Sequence, residues 1–248
     1  MTTIAVTRVT HSCHLIEIGG LTILTDPWFT TRPGYYQGEP IAIGIDELPD
    51  LDGVVISHEH YDHCDLDAFA AYRNLDVPIF VPSTVVESAR AHGFTNVHAM
   101  QPWDSAELGG VSITATPGKH GVYEITYVLR AGSDSVYFAG DTLLIPEIEE
   151  IPERLGHISV ALLPTNGLHI RPANNMQVVM NAREAAELTA ILKPELAIPH
   201  HYAFTKGWLG DRLITNSDKN PHHFEDAARE LAPNPTVRII DPGTRIEL

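Results

Sequence analysis

The feature that most constrains this chain is a short histidine-rich segment that follows an apolar run. The run, Gly53 to Ile56, is β-branched and is typical of a buried strand. His58, His60, Asp62 and His63 come directly after it. Because successive side chains of an extended segment point to opposite faces, His58 and His60 are expected to aim at one point. Imidazole and carboxylate groups are the usual ligands of zinc and related ions, so this segment predicts the wall of a metal site.

Three further candidate ligands each follow a predicted strand. His120 comes after Val111 to Thr116, Asp141 comes after an apolar run that ends at Gly140, and His201 follows another at Leu196 to Pro199. One such residue is weak evidence, since a strand-end aspartate is often only a turn former. Together with the histidine-rich segment they form an ordered set, and strand ends hold ligands more rigidly than loops do.

The composition limits the class of protein and its partners. With 248 residues and 44% hydrophobic residues, the chain can form one large domain or two small ones. We see no repeat or linker and predict a single domain over residues 1–248. No apolar segment approaches the ~20 residues of a membrane span. A formal net charge of −16 argues against a nucleic-acid partner.

The start of the chain and its cysteines bear on location. Met1 to Arg8 lacks the basic and then apolar pattern of a signal peptide, so we expect a cytoplasmic protein. The two cysteines, Cys13 and Cys64, give no disulfide framework and fit a reducing compartment. The oligomeric state stays open, a homo-oligomer included.

Local patterns predict sheets covered by helices. Gly19-Gly20 between two apolar runs predicts a hairpin turn. Asn181 with Glu184 resembles a capping box and predicts a helix that ends near Leu192. Strands dominate the first half and alternate with helices in the second, which indicates packed sheets with helices outside. Two long loops, 27–50 and 203–221, are expected to form the substrate wall.

With these motifs in order, the chain resembles the metallo-β-lactamase superfamily. The resemblance rests on four segments that span nearly the whole chain: His58 to His63, Thr116 to His120, Phe138 to Thr142, and Pro199 to Tyr202. It implies an α/β fold, a four-layer αββα sandwich with a di-metal site at the edge between the two sheets. Thr10 to Glu17, Leu24 to Phe29, Leu163 to Gly167 and Asn181 to Leu188 are similar to the branch that contains L-ascorbate-6-phosphate lactonase.

The resemblance also implies a role for each candidate ligand. The first metal would be held by His58, His60 and His120, and the second by Asp62, His63 and His201, with Asp141 as the bridge. His11 and Asp26 are expected beside the ligands, where such partners orient imidazoles. A histidine at position 60, where the di-iron branch has glutamate, favours hydrolysis over oxygen chemistry. Zinc is the first choice of metal, and manganese and iron are the alternatives.

The predicted function is a metal-dependent hydrolase that uses a metal-bridging hydroxide on a small-molecule ester. A lactone or phosphorylated sugar-like lactone is the first candidate substrate. The predicted catalytic residues are Asp62, Asp141, Asp26 and Tyr202. Candidate general acids are Tyr202, Tyr61, His169 and His11. Candidate substrate-binding residues are Asn166, Arg171, His169 and Lys119, with Lys206 as a further cation for an anionic group.

Three alternatives stay open at the level of sequence. One is a phosphodiesterase acting on a phospholipid or cyclic nucleotide. Another is a mononuclear iron enzyme of the persulfide dioxygenase type. The third is a metal-stabilised binding module without turnover.

Overall fold

A computed structural model describes residues 4–248. The predicted domain therefore includes three residues, 1–3, that lie outside the described part of the chain, and the single-domain assignment stays a prediction. The described strands are β1 (Ala5–Thr10), β2 (Cys13–Ile18), β3 (Leu21–Thr25), β4 (Gly53–Val55), β5 (Ile79–Pro82), β6 (Val97–Met100), β7 (Ser105–Leu108), β8 (Val111–Pro117), β9 (Ile125–Ala131), β10 (Asp134–Phe138), β11 (Val160–Pro164), β12 (Leu168–Ile170), β13 (Met176–Gln177), β14 (Leu196–His200), β15 (Ile214–Asn216), β16 (Thr236–Val237) and β17 (Arg245–Glu247).

The helices are short and alternate with the strands. The α-helices are α1 (Leu66–Phe69), α2 (Ser83–Ala91), α3 (Ile151–Leu155), α4 (Ala182–Leu192), α5 (Gly207–Gly210) and α6 (His222–Leu231). Single 3-10 turns lie at Ile45–Glu47, Pro146–Glu150 and Arg171–Ala173. Within the described residues, we find no helix with the length and apolar character that a bilayer crossing requires.

Two mixed sheets of seven strands each form the centre of the molecule. Their strand orders are β17-β1-β2-β3-β4-β5-β6 and β16-β14-β11-β10-β9-β8-β7. In each sheet one half is antiparallel and the other half is parallel, since β3 to β6 run together in the first and β10, β11, β14 and β16 in the second. A small antiparallel sheet, β13-β12-β15, lies outside this pair.

The buried side chains divide into layers that confirm the predicted αββα sandwich. The inner faces of both sheets share one core, which includes Ile16, Val55, Tyr127 and Phe138. On the outer face of the first sheet, strand residues pack against α1 and α2. On the outer face of the second sheet, they pack against α3, α4 and α6. Burial of these faces is the main favourable term in the fold.

The turn and cap predicted from local sequence are both present. Gly19 and Gly20 have positive φ values of 60° and 81°, which suits the two-residue turn between β2 and β3. At the start of α4, the Asn181 side chain accepts from the N–H groups of Arg183 and Glu184. The Glu184 carboxylate accepts in return from the Asn181 N–H.

The prediction of an irregular loop over 203–221 is wrong in part. This segment contains α5 and β15, and β15 pairs with β12 in the small sheet. The strand forms through that pairing, because three residues carry too little pattern to indicate a strand alone.

Candidate metal centre

The candidate ligands converge from the ends of strands in both sheets. In the first sheet, His11 lies in the turn after β1, Asp26 follows β3, and the histidine-rich segment follows β4. In the second sheet, three residues lie within three positions of the end of a strand: His120 after β8, Asp141 after β10, and His201 after β14. Because the two sheets face each other, these residues meet at one edge between them.

A first group of three imidazoles forms one half of the cluster. The Nδ1 atom of His60 lies 3.0 Å from His58 Nε2 and 3.1 Å from His120 Nε2. Burial lowers the pKa of His58 and His120, and it lowers the pKa of His60 to about 4. All three rings are therefore neutral near pH 7, with lone pairs free to bind a cation.

A second group of buried side chains lies beside the first. Ligand atoms of His11, Asp62, His63 and His201 fall within 4.8 Å of one another. Asp141 Oδ2 lies 3.2 Å from His63 Nε2 and 2.8 Å from His201 Nε2. His11, expected only beside the ligands, thus brings its Nε2 atom into this group, 3.7 Å from Asp62 Oδ2.

Buried polar atoms without hydrogen bonds show that this arrangement suits a metal cation. His11 Nε2 and Asp141 Oδ1 are buried without a hydrogen-bond partner within residues 4–248, and His63 Nε2 and His201 Nε2 face the Asp141 carboxylate. An unpaired buried polar atom costs about 1–3 kcal/mol. A cation at their meeting point would satisfy nitrogen and carboxylate lone pairs together.

The charges of this second group also fit a cation. Burial disfavours a charged His63, but the Asp141 and Asp26 carboxylates outweigh it and hold the pKa of His63 well above its ordinary value. Burial likewise opposes ionisation of Asp141, yet His201 and His63 keep the pKa of that carboxyl well below its ordinary value. The Asp141 carboxylate therefore favours a positive charge beside it, and a metal ion can supply that charge.

Asp26 holds the ligands in place from behind. Its Oδ2 atom accepts from His63 Nδ1 at 2.6 Å and from the Ser57 hydroxyl at 2.7 Å, and its Oδ1 accepts from the Ser57 N–H at 2.7 Å. The Ser57 hydroxyl lies 2.9 Å from His58 Nδ1, so one carboxylate orients histidines of both groups.

Strained backbone accompanies these contacts. His11, Asp26 and His201 have φ values of 47°, 33° and 66°, in the left-handed region that residues other than glycine rarely adopt. Strain of this kind persists where the surrounding structure enforces it, and it concentrates at functional sites.

Glu124 belongs to the site, although no motif in the sequence predicts it. Its Oε1 atom accepts from the Asp141 N–H at 2.6 Å and lies 3.3 Å from His58 Nδ1. Burial, together with the nearby Asp141 carboxylate, raises the pKa of Glu124 well above its ordinary value. In the sequence, Glu124 is recognisable only as an acidic residue directly before the apolar run that forms β9.

A cavity of about 160 Å³ opens onto the cluster. Its polar end is formed by His60, Asp62, His120, Asp141 and His201. Its remaining wall is mostly apolar, with Tyr35, Leu168, Ile170, Val178, Phe204 and Ile214, together with Lys206. Both predicted loops contribute to this wall, through Tyr35 from the first and Phe204, Lys206 and Ile214 from the second.

The predicted substrate-binding residues do not line this cavity. Lys119 and Arg171 are exposed. Asn166 is buried and donates to Asn216 Oδ1 at 2.9 Å. His169 Nδ1 lies 2.7 Å from the Gly167 carbonyl oxygen, within its own turn. The structure therefore does not bring these four side chains to the candidate ligands.

Tyr202, predicted as a catalytic residue, lies elsewhere as well. Its hydroxyl bonds to the guanidinium of Arg8, a fully buried residue of β1. His201 turns toward Asp141, whereas His200 Nδ1 lies 3.0 Å from the Ser12 hydroxyl in the interior. The left-handed backbone at His201 turns the chain so that Tyr202 faces away from the cavity.

The comparison with protein families decides where this fold belongs. The model of the beta-lactamase superfamily domain matches residues 22–202. The chain belongs to that superfamily. A UPF0173 metal-dependent hydrolase of Methanopyrus kandleri is 28% identical over 254 residues, which cover 98% of this chain and 99% of the relative. Another of that description, from Deinococcus radiodurans, is 28% identical over 249 residues and covers 96% of both chains.

Solved structures of other proteins share this fold. Igni18, a metallo hydrolase from Ignicoccus hospitalis, has a TM-score of 0.77 at 24% identity, covering 99% of this chain and 98% of its own. CmlA, a diiron β-hydroxylase from Streptomyces venezuelae, has a TM-score of 0.76 at 19% identity, covering 100% of this chain and 54% of its own. The superfamily fold thus occurs with both hydrolytic and oxidative chemistry, so the site must decide between them.

Proposed function

We propose that this chain is a metal-dependent hydrolase with a two-metal centre that acts on small carboxylic esters, lactones first among them. The observation that carries the proposal is the buried cluster, in which two groups of ligand atoms lie side by side at the floor of one cavity. The names of its relatives, UPF0173 metal-dependent hydrolases, support the same class of reaction.

Each group of ligands would hold one cation. His58, His60 and His120 would bind the first, and Asp62, His63 and His201 the second, with Asp141 between them and His11 as an additional nitrogen beside the second. When bound, two such ions supply an activated water nucleophile and stabilise the oxygen that gains negative charge. Zinc suits a set this rich in imidazole, and manganese and iron are the alternatives.

The protein's own groups fix the geometry in which this chemistry takes place. Asp26 accepts the His63 Nδ1 proton and so directs His63 Nε2 toward Asp141. Glu124 binds the Asp141 N–H and places that carboxylate at the meeting point of the two groups. The apolar wall excludes water from the rest of the cavity, which strengthens electrostatic interactions at the floor.

The cavity wall supports an ester or lactone with an apolar body. Leu168, Ile170, Val178 and Ile214 offer contact surface but no hydrogen bonds to sugar hydroxyls. A phosphorylated sugar lactone would need several polar partners for its hydroxyls and phosphate, and of the candidate cations Arg171, Lys119 and Lys206 only Lys206 lines the cavity. We therefore place apolar esters and lactones ahead of sugar phosphates.

Metal quantification, paired with a screen of lactones, carboxylic esters and phosphodiesters, tests this function. We expect two metal ions per chain and ester or lactone hydrolysis that falls more than about a hundredfold in His60→Ala, beyond the usual effect of losing an indirect partner. His222→Ala removes an exposed imidazole and is the matched control. One iron per chain would favour a persulfide dioxygenase, and hydrolysis of phosphodiesters alone, to phosphomonoesters and alcohols, would favour a phosphodiesterase. Unchanged activities in metal-loaded Asp141→Asn would indicate a binding module.

A further inference from the structure

We propose that the substrate carries an anionic group, and that Lys206 binds this group in the cavity wall. The proposal rests on the hydrolase function above and names the substrate class as an ester or lactone with an apolar body and a carboxylate or similar anion. Among the cavity-lining residues of the described chain, Lys206 is the one lysine or arginine.

Aromatic rings hold the Lys206 ammonium group at the cavity. Its Nζ atom lies 3.2 Å from the centre of the Tyr35 ring and 4.9 Å from that of Phe204. Such contacts are worth about 0.5–2 kcal/mol and increase as water is removed. The backbone is fixed too, since the Lys206 N–H donates to Asp211 Oδ1 at 2.7 Å. The cation is therefore positioned rather than free in solvent.

Lys206 has no protein anion to balance its charge. Lys219, in the same segment, pairs with Asp211 at 3.3 Å, whereas Lys206 forms no salt bridge with any of residues 4–248. The carboxylates in the cavity, Asp62 and Asp141, belong to the ligand cluster. In a chain with a net charge of −16, a half-buried lysine without a partner leaves a local site for an external anion.

The rest of the wall determines what must be attached to this anion. Leu168, Ile170 and Ile214 come from the small sheet, and they line the same cavity as Lys206 and His60. A ligand that reaches both the cluster and the ammonium group has its body against these side chains. Apolar contact stabilises the body by about 25 cal/mol per Å² of buried surface, while the charged end selects anions over neutral analogues.

Calorimetric titration of the zinc-loaded protein tests the proposal without requiring turnover. The probes are phenylbutyrate, an apolar carboxylate, and phenylbutanol, its neutral alcohol. We expect wild-type protein to prefer phenylbutyrate and Lys206→Met to bind it about tenfold more weakly, as for loss of a charge-assisted hydrogen bond. Binding of phenylbutanol should stay within about twofold, and Lys206→Arg should retain most of the preference.

Lys219→Met is the matched control, since it removes a lysine of the same segment outside the cavity. Thermal unfolding of each variant checks that the fold is intact. Equal affinity of wild type and Lys206→Met for phenylbutyrate would overturn the proposal, as would a wild type that does not prefer the anion or binds neither probe. If Lys206→Met weakens phenylbutyrate binding but the wild type hydrolyses no ester, the hydrolase function would be contradicted and the anion site would stand.

Discussion

Asp26 shows how one buried side chain organises several others. It is fully buried, it follows β3, and its N–H donates to the Val55 carbonyl oxygen in β4 at 3.0 Å. Its two carboxylate oxygens accept from His63 and twice from Ser57. Burial raises the pKa of Asp26, and these hydrogen bonds act against that shift. Its position therefore depends on the neighbours that it orients.

Asp26→Asn is expected to weaken metal binding without unfolding the chain. The amide has the same shape but only one acceptor oxygen. With the NH₂ group in the Oδ2 position it faces both His63 Nδ1 and the Ser57 hydroxyl, and in the Oδ1 position it faces the Ser57 N–H. Loss of such an indirect partner typically costs about 10- to 100-fold in metal affinity. Competition with a chelator measures the zinc affinity of each variant.

Asp52→Asn supplies the control for this measurement. Asp52 is exposed and accepts a backbone N–H, that of Thr22, at 2.8 Å, so it undergoes the same chemical change far from the cluster. An Asp26→Asn protein with wild-type zinc affinity would show that His63 needs no carboxylate to orient it.

Individual residues differ in how far the sequence could predict them. His58 to His63 are contiguous, and an alternating motif after a strand is visible without a structure. His120, Asp141 and His201 were found through the order of motifs, because sequence alone does not show that three strand ends meet. Lys206 could be selected only as one cation among several, since its contact with Tyr35 depends on how two distant loops fold together.

At the scale of elements, α4 is the best defined by local sequence. Its apolar positions recur with helical spacing, and Ala185, Leu188 and Leu192 are buried against the second sheet. Asn181 caps its first turn, and Lys193 ends it in a left-handed conformation with φ of 48°. Helix propensity, the N-cap and the packed face all favour a helix at the same residues, which is why the sequence predicted α4 correctly.

Asn181→Ala should lower the free energy of unfolding by about 1 kcal/mol, the usual cost of losing a cap. The Asn181 Oδ1 atom accepts from Arg183 at 2.9 Å and from Glu184 at 3.0 Å, and alanine leaves both N–H groups without that partner. Urea unfolding followed by circular dichroism measures the change.

Arg183→Ala is the companion variant for the cap. It removes an exposed side chain whose 3.5 Å pair with Glu187 contributes little, so a loss below about 0.5 kcal/mol is expected. Equal losses in the two variants would contradict a specific contribution from the cap.

The small sheet is the element that local sequence could not predict. β12, β13 and β15 have two or three residues each, and β15 pairs with β12 across more than forty positions of sequence. Strands this short depend on their partners rather than on residue preference. Since Leu168 and Ile170 of β12 line the cavity and lie outside both predicted loops, the missing prediction of this sheet is also why their part of the apolar wall was not foreseen.

For the whole molecule, the relation between the two sheets determines whether the site can form. Candidate ligands come from both sheets, so a shift of one sheet against the other would separate His58 from His120. The shared core fixes this relation mainly through apolar packing. A hydrogen bond between the sheets also fixes their relative position. The Tyr127 hydroxyl in β9 lies 2.9 Å from the carbonyl oxygens of Ile56 and Phe80 in the other sheet.

Tyr127→Phe is therefore expected to lower the free energy of unfolding by about 1 kcal/mol, the typical net value of a buried hydrogen bond. The ring stays, so the apolar core keeps its volume, and only the link between the sheets is lost. Tyr123→Phe, at a residue that is 43% exposed, should change the free energy by less than about 0.5 kcal/mol. Urea unfolding measures both variants, and zinc quantification shows whether the centre keeps its metal.

Because Ile56 directly precedes Ser57, a loosened contact between the sheets should also displace residues of the cluster. Tyr127→Phe is therefore expected to release zinc to a chelator sooner than Tyr123→Phe does. Identical stability and identical zinc release in the two variants would show that apolar packing alone sets the position of the sheets.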